Sequence, residues 1–391
     1  MRIIALIFGY KPLDETKDVG QIPIGLFGQG YDVSIVTLDK PELDNYICPI
    51  HLIKIKSRAD IANVIKEDEI VIIHSANSVT VEDLLIIKKV GGKIILKLDN
   101  DGRFGRWNQP RPRYYFLRSL NNDFIWKIPI RFLNVLTPLG LAYEQEEIKK
   151  FELVDKMIIE SFPALSNLSF FLYQHKKNEI IKKVNMIPNP VTYDILNVDI
   201  QQKENFVISV GKWDDKIPKN PKFLVQTLSE FLIAKKNWKV FVIGSGDYVV
   251  KKYVDKLPNS VKERIIITGQ IEHKQIKDYL LKSKIFFTPS RFESFGIAAA
   301  EALCSGCSIV STPIESFVYM ASGGFTGLNA SSFKIKNLAS NLLIESELWE
   351  RHIRNTYEIA QFWRKQLSLE KIISQYEEVI NSLSLLEDND K

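Results

Sequence analysis

Two glutamates, Glu293 and Glu301, and two lysines, Lys212 and Lys219, stand in a pattern that could do chemistry. The stretch Pro289-Ser290-Arg291-Phe292-Glu293-Ser294-Phe295-Gly296-Ile297-Ala298-Ala299-Ala300-Glu301-Ala302-Leu303 follows the apolar run 285–287, makes a Pro-Ser turn and enters an Ala-rich helix from about Phe295. Gly296 near the helix start lets a ligand approach closely, and the free N–H groups and dipole of a helix start favour an anion such as a diphosphate. A carboxylate beside a phosphate is repulsive, so the glutamates make sense there as acceptors from hydroxyl groups. Glu301 lies a helical rise of roughly 9 Å beyond Phe295, which lets the two carboxylates grip opposite ends of an extended ligand. A nucleotide sugar has that shape: sugar hydroxyls at one end, a ribose diol at the other, a diphosphate between. Lys212 and Lys219, in 209–221, would supply the cations that a departing nucleoside diphosphate requires. On a plain amphipathic helix, or as solvated surface lysines, the same residues would need no ligand. The surrounding Pro-Ser turn, Phe-Gly pair and Ala-rich helix weigh against that reading.

Other constellations carry less. Three cysteines, Cys48, Cys304 and Cys307, cannot make a disulfide framework, and one C-x-x-C lacks the other two ligands of a structural zinc site. Because Cys304 and Cys307 close a helix rather than open one, packing is their expected role, and a reducing cytoplasm fits. The turn Val242-Ile243-Gly244-Ser245-Gly246 tempts a dinucleotide-binding reading, which fails because Val249 stands where the third glycine is needed. The net charge of +5 is concentrated in 103–131, where Arg103, Arg106, Arg111, Arg113, Arg118, Lys127 and Arg131 face the single acid Asp123. Phe104, Trp107, Tyr114, Tyr115, Phe116, Phe124 and Trp126 are interleaved with them. That mixture suits an anionic membrane surface or a lipid phosphate, and could also stack on single-stranded nucleic acid.

These side chains need elements to hold them. β-Branched runs at 2–8, 32–38, 69–74 and 93–98 read as strands separated by helical stretches such as 80–89, the parallel doubly wound pattern. A strand at 156–160, a helix at 164–175 and a short strand ending at Ile187 come next. Pro188-Asn189-Pro190 and the polar 199–204 then read as a linker. Alternation restarts with strands at 206–210, 239–243, 265–268, 285–287 and 308–311. Ile372, Ile373, Tyr376, Val379, Ile380 and Leu383 recur at helical spacing near the end. The opening run reads as a buried strand rather than a signal peptide, and no stretch approaches the ~20 apolar residues of a spanning helix.

With Phe-Gly after its first glutamate and Glu-Ala at its second, the E-x7-E stretch resembles the signature of the retaining glycosyltransferases of the GT-B fold, glycosyltransferase family 4 (glycosyl transferases group 1). The resemblance implies an α/β fold of two Rossmann-like doubly wound parallel-sheet domains facing across a cleft. An acceptor domain would span 1–195, a nucleotide-sugar domain 196–365, and a helix in 366–391 would pack back towards the first. It implies that Glu293 contacts the transferred sugar, that Ser294, Phe295, Gly296 and Ile297 line sugar and phosphate, and that Glu301 binds ribose. Ser209-Val210-Gly211-Lys212 and Lys219 match the diphosphate-binding turn, although Lys212 stands where Arg is usual and lacks its bidentate fork, and Asn220 replaces a glycine. Gly244 matches a Gly-rich turn and Ile271 a base-binding strand end. Gly20 is what remains of a glycine-rich loop facing the donor phosphate, and Asp99 takes the place of a histidine that touches the donor sugar in many relatives.

The resemblance implies hexosyl transfer from a UDP- or GDP-linked donor to a glycan or lipid-linked acceptor. Lys212, Lys219 and Glu293 would be catalytic, with no metal or other cofactor. The acceptor hydroxyl attacks on the face that the diphosphate leaves, so no protein nucleophile is required. The enzyme would be cytoplasmic, peripheral on the membrane through 103–131, with nucleic acid not a partner. Two rivals are a metal-dependent transferase using Asp99-Asn100-Asp101, a D-x-D after a strand, and a non-enzymatic lipid- or nucleic-acid-binding module using 103–131.

Overall fold

The computed structural model describes residues 2–11, 14–15, 17–38, 48–104 and 138–384. Of the basic aromatic segment, Arg103 and Phe104 fall among them, and 105–131 lies outside the described residues. The chain divides into two compact units, 1–192 with 369–391, and 193–368.

In the first unit the described strands are β1 Arg2–Leu6, β2 Asp32–Leu38, β3 His51–Ile55, β4 Ile70–His74, β5 Lys93–Leu98, β6 Lys156–Ile159 and β7 Val184–Met186. They form one sheet in the order β3-β2-β1-β4-β5-β6-β7, with every pairing parallel. Such a sheet must be covered on both faces, which is why its strands read as near-continuous apolar runs. One face packs Ile4, Leu6, Val71, Ile73, Ile94, Leu96 and Leu98 against Leu84, Ile87, Leu168 and Phe171 of the helices Val81–Lys89 and Phe162–Gln174. Both helices start on a side-chain cap, Thr80 accepting from the Asp83 N–H and Ser161 from that of Ala164.

The other face packs Ile3, Ala5, Ile70, Ile72, Ile95 and Ile158 against Ile22 and Leu26 of the helix Asp18–Gly28 and against Ile372, Ile373, Tyr376, Val379, Ile380 and Leu383 of the helix Leu369–Ser384. The last described helix is therefore part of the first unit's core. The prolines at 188 and 190 also lie in this unit, and Asn189 between them is buried.

The second unit holds β8 Glu204–Val210, β9 Lys239–Ile243, β10 Ile265–Gly269, β11 Ser283–Thr288, β12 Ser308–Ser311 and β13 Gly327–Asn329. Their order is β10-β9-β8-β11-β12-β13, again parallel throughout. In each sheet the order reverses once, between β1 and β4 and between β8 and β11, and the crevice beyond the carboxyl ends of such a pair is where open α/β sheets take ligands. Among the described residues no helix is long and apolar enough to cross a membrane.

Ile372 is fully buried in the first unit's core. Ile372→Ala should cost about 2–5 kcal/mol through lost burial and the cavity left behind. Urea unfolding tracked by circular dichroism would show the first unit's transition moved to lower denaturant. An unmoved transition would mean that the last helix does not support this sheet.

Candidate active site

The residues singled out between 211 and 301 gather at the carboxyl end of the second sheet. Gly211 follows β8, and its N–H donates to the Ile243 carbonyl at 3.1 Å; the Gly244 N–H donates to the Gly269 carbonyl at 2.8 Å. The turns after β8, β9 and β10 are thus tied side by side. The Trp213 indole, 2% exposed, anchors the first of them by donating to the Ile243 carbonyl at 3.0 Å. Gly244 must be glycine: its φ is +125°, and a Cβ there would lie 1.9 Å from the Gly211 carbonyl oxygen.

Across the switch point, the turn after β11 meets the turn after β8. Lys219 ends the short helix Lys216–Lys219 and pairs its ammonium with Glu293 Oε1. Ser290 Oγ donates to the same oxygen at 3.0 Å, and Thr288 Oγ1 donates to Ser290 Oγ at 3.1 Å. The Arg291 N–H donates to the Pro218 carbonyl at 2.7 Å. A cation and a carboxylate that sequence reasoning treated separately are one ion pair. Lys212, by contrast, is exposed at the mouth of its turn.

The helix after β11 is Ile297–Cys304, with Gly296 at its N-cap in the left-handed region at φ +95° and no side-chain cap. It begins two residues later than the expected start at Phe295. The Phe295 ring belongs to the core, 1% exposed, while Ser294, Gly296 and Ile297 stay partly open. The first N–H groups of this helix have no intrahelical acceptor and point out of its start.

Glu301, on the same helix, is 5% exposed, and its Oε1 stands 2.7 Å from His273 Nε2. In the tautomer that bears its proton on Nε2, the ring N–H donates a hydrogen bond to the carboxylate. His273 opens the helix His273–Lys282 just after β10 and the partly open Ile271. Sequence reasoning stopped at Ile271 and missed this partner, although a histidine at a helix start just past a strand end was the available signal.

The cysteines close the same helix. Cys304 and Cys307 are wholly buried and unbridged, burial pushes both thiols up, and Cys307 Sγ lies 3.1 Å from the Ser283 carbonyl and 3.2 Å from that of Leu280. They pack.

In the first unit, Gly20 lies inside the first turn of the helix Asp18–Gly28 rather than in a loop, and a Cβ there would meet the Asp14 carbonyl oxygen at 2.5 Å. Close packing of 14–15 against the helix accounts for this glycine. Asp99 follows β5 and is exposed. Of its neighbours in the D-x-D, Asn100 Oδ1 accepts from the Gly102 N–H at 2.8 Å and Asp101 Oδ1 from the Arg103 N–H at 3.3 Å, so both close a backbone turn.

Two parallel-sheet α/β domains match the GT-B architecture of glycosyltransferase structures. The HepE protein of Anabaena, solved in complex with UDP, matches with a TM-score of 0.70 at 12% identity over 98% of this chain and 100% of its own. Residues 196–358, all in the second unit, match the family model described as "Glycosyl transferases group 1". The match covers most of the second unit. The chain is 24% identical over 243 residues to the uncharacterized glycosyltransferase YqgM of Bacillus subtilis, covering 60% of this chain and 66% of that protein. It is 23% identical over 239 residues to the O-antigen chain mannosyltransferase RfbU of Salmonella typhimurium, covering 58% of each. The chain spans between 31% and 66% of the length of the curated relatives it matches.

Gly244→Ala should destabilise the second unit by about 3 kcal/mol or more, since strain at a left-handed φ adds to a backbone collision. Thermal unfolding read by tryptophan fluorescence would report it. An unchanged melting temperature would mean that the Gly211 and Gly244 turns do not pack as described.

Proposed function

We propose that the chain is a retaining glycosyltransferase of family 4 that moves a hexose from a UDP- or GDP-linked donor to a hydroxyl of a glycan or lipid-linked acceptor. The observation that carries this reading is the Lys219–Glu293 pair beside an uncapped helix start, with the buried Glu301 further along the same helix. In it the donor diphosphate lies over the N–H groups at Gly296, Ile297 and Ala298, where helix-end dipoles favour an anion. Lys219 shares its ammonium between Glu293 and the phosphate, and Lys212 adds a second cation from the exposed side of the turn. Glu293 accepts from a hydroxyl of the transferred sugar. Glu301, held by His273, accepts from the ribose, and Ile271 borders the base.

As the bond from the sugar's anomeric carbon to the diphosphate breaks, negative charge collects on the leaving oxygens, and the preorganised cations and amides stabilise it. The acceptor oxygen bonds to that carbon from the same face and its proton passes to a diphosphate oxygen, so configuration is retained without a protein nucleophile. The positive charge comes from the protein's own groups, and no divalent ion enters this account. The first unit takes the acceptor, with Asp99 accepting from a sugar or acceptor hydroxyl. The UDP bound by the Anabaena protein and the O-antigen chain named for the Salmonella relative support this donor and acceptor chemistry. The cations and aromatics of 103–131 would hold the enzyme against an anionic membrane surface.

Glu301→Ala should weaken nucleotide-sugar binding by about 1–3 kcal/mol, the cost of hydroxyls left without a charged acceptor. Lys219→Ala should chiefly lower kcat, on the order of 100-fold. Calorimetry and initial rates with UDP- and GDP-sugars in excess EDTA measure both. Wild-type affinity in the first variant, or wild-type turnover in the second, would contradict the assignment.

A further inference from the structure

The turn that leaves β4 holds a residue in a backbone conformation that side chains avoid. Ser75 has φ +73° and ψ +119°. A residue with a Cβ rarely adopts a positive φ, and this ψ lies beyond even the left-handed helical well in which Asn and Asp are tolerated. The strain persists because hydrogen bonds fix the turn around it. The Ser75 N–H donates to the Lys97 carbonyl at 3.0 Å and the Ser78 N–H to the Ser75 carbonyl at 3.0 Å, while Ser78 Oγ lies 2.7 Å from that same carbonyl oxygen and 2.8 Å from that of His74. Two cations hold the remaining carbonyls: Lys150 Nζ donates to Ala76 at 3.2 Å, and the Arg58 guanidinium to Ser78 at 3.0 Å.

Folding alone does not require this arrangement. Carbonyls of a surface turn can bond to water, whereas Lys150 and its partner Glu147, 2.9 Å away, are both buried, and a buried ion pair is costly to desolvate. Arg58 likewise pairs with the buried Asp83 and lies 4.2 Å from the centroid of the Phe8 ring. In the neighbouring β5 the Lys97 ammonium is buried 2.7 Å from Asp18 Oδ2 and 2.7 Å from Glu160 Oε1. Strained residues over-determined by their surroundings in this way cluster where ligands bind. Position agrees, since β4 is one of the two strands at the first sheet's switch point. Ser75 is half-buried, and among the described residues its hydroxyl has no hydrogen-bond partner.

We propose that Ser75 is a binding residue for the acceptor, its hydroxyl exchanging hydrogen bonds with a hydroxyl of a neutral glycan. This rests on the reading of the first unit as the acceptor's. A serine hydroxyl both donates and accepts, as a sugar hydroxyl does, and the strained backbone fixes where it stands. Charge selects the same class of ligand. Each cation at the turn is matched by its own buried carboxylate, so the turn offers hydrogen bonds rather than a net positive charge. His74 stands beside Lys97 in register, so Ser75 and the exposed Asp99 leave neighbouring strands at the same end of the sheet. A phosphate or carboxylate there would be repelled by Asp99, and a neutral polyol would not.

Two substitutions in the full chain separate binding from folding. Ser75→Gly should move the first unit's urea transition to higher denaturant, because the strain released exceeds the freedom that glycine adds to the unfolded chain. Ser75→Ala keeps the strain and should leave that transition in place. Transfer is then measured from UDP-glucose and GDP-mannose to the octyl glycosides of glucose, mannose, galactose and N-acetylglucosamine. Both variants should lower kcat/KM for the glycoside about threefold to tenfold, the loss of one neutral hydrogen bond, with UDP and GDP affinity by calorimetry at the wild-type value. A residue needed only for folding would not combine a firmer fold with weaker use of the acceptor. A Ser75→Gly transition that fails to rise, or a folded Ser75→Ala with wild-type kcat/KM, overturns the proposal and leaves the transfer reading standing. A wild type that transfers to none of these glycosides overturns the glycan-acceptor reading itself, and the Ser75 contact falls with it.

Discussion

The pairing of Lys219 with Glu293 is the interaction on which the second unit's site depends. It joins the turn after β8 to the turn after β11 across the switch point, and the Arg291-to-Pro218 backbone hydrogen bond locks the same two turns together. A lone carboxylate at a helix start would repel a diphosphate, whereas a carboxylate already sharing an ammonium presents a neutral pair. The ammonium can then lean towards an arriving anion while the carboxylate accepts a hydroxyl. Both side chains are partly exposed, so the pair is held by its surroundings without being sealed from a ligand.

The parallel sheets force chemistry to their ends. With both faces buried by helices, a charge within a strand has no water to reach, and the carboxyl ends are where polar groups can meet solvent and ligand. The two units solve this differently. In the second, Gly244 lets the turns after β8 and β9 pack backbone to backbone at the sheet's edge. In the first, the edge is underlain by Lys97, Asp18 and Glu160, charges paid for in desolvation and retained at the β1/β4 switch point.

Much of the fold was legible because parallel strands are continuous β-branched runs: Asp32–Leu38, Lys93–Leu98, Lys239–Ile243 and Ser308–Ser311 stand where their sequence puts them. His51–Ile55 and Gly327–Asn329 were missed, the first an edge strand interrupted by Lys54, the second only three residues long. In the site, residue types could be read but not pairings. Lys219 and Glu293 are far apart in the chain, and so are His273 and Glu301, so no local spacing announces either contact. Lys97 was hidden more thoroughly. In Lys-Ile-Ile-Leu-Lys-Leu it looks like a polar strand end, and only the folded sheet shows it buried between one carboxylate at the start of a helix and another just past the end of β6. Gly20, matched to a glycine-rich loop, lies in the first turn of a helix, where only the folded chain shows 14–15 packed against it.

The most direct test of the account is a crystal structure of the full chain soaked with a nucleoside diphosphate, UDP and GDP in turn, in the presence of EDTA. The account predicts density for the diphosphate between Lys219 and the helix start at Gly296, with the ribose on Glu301. Nucleotide bound instead beside Asp99-Asn100-Asp101, or bound at all only when a divalent ion is restored, would contradict it.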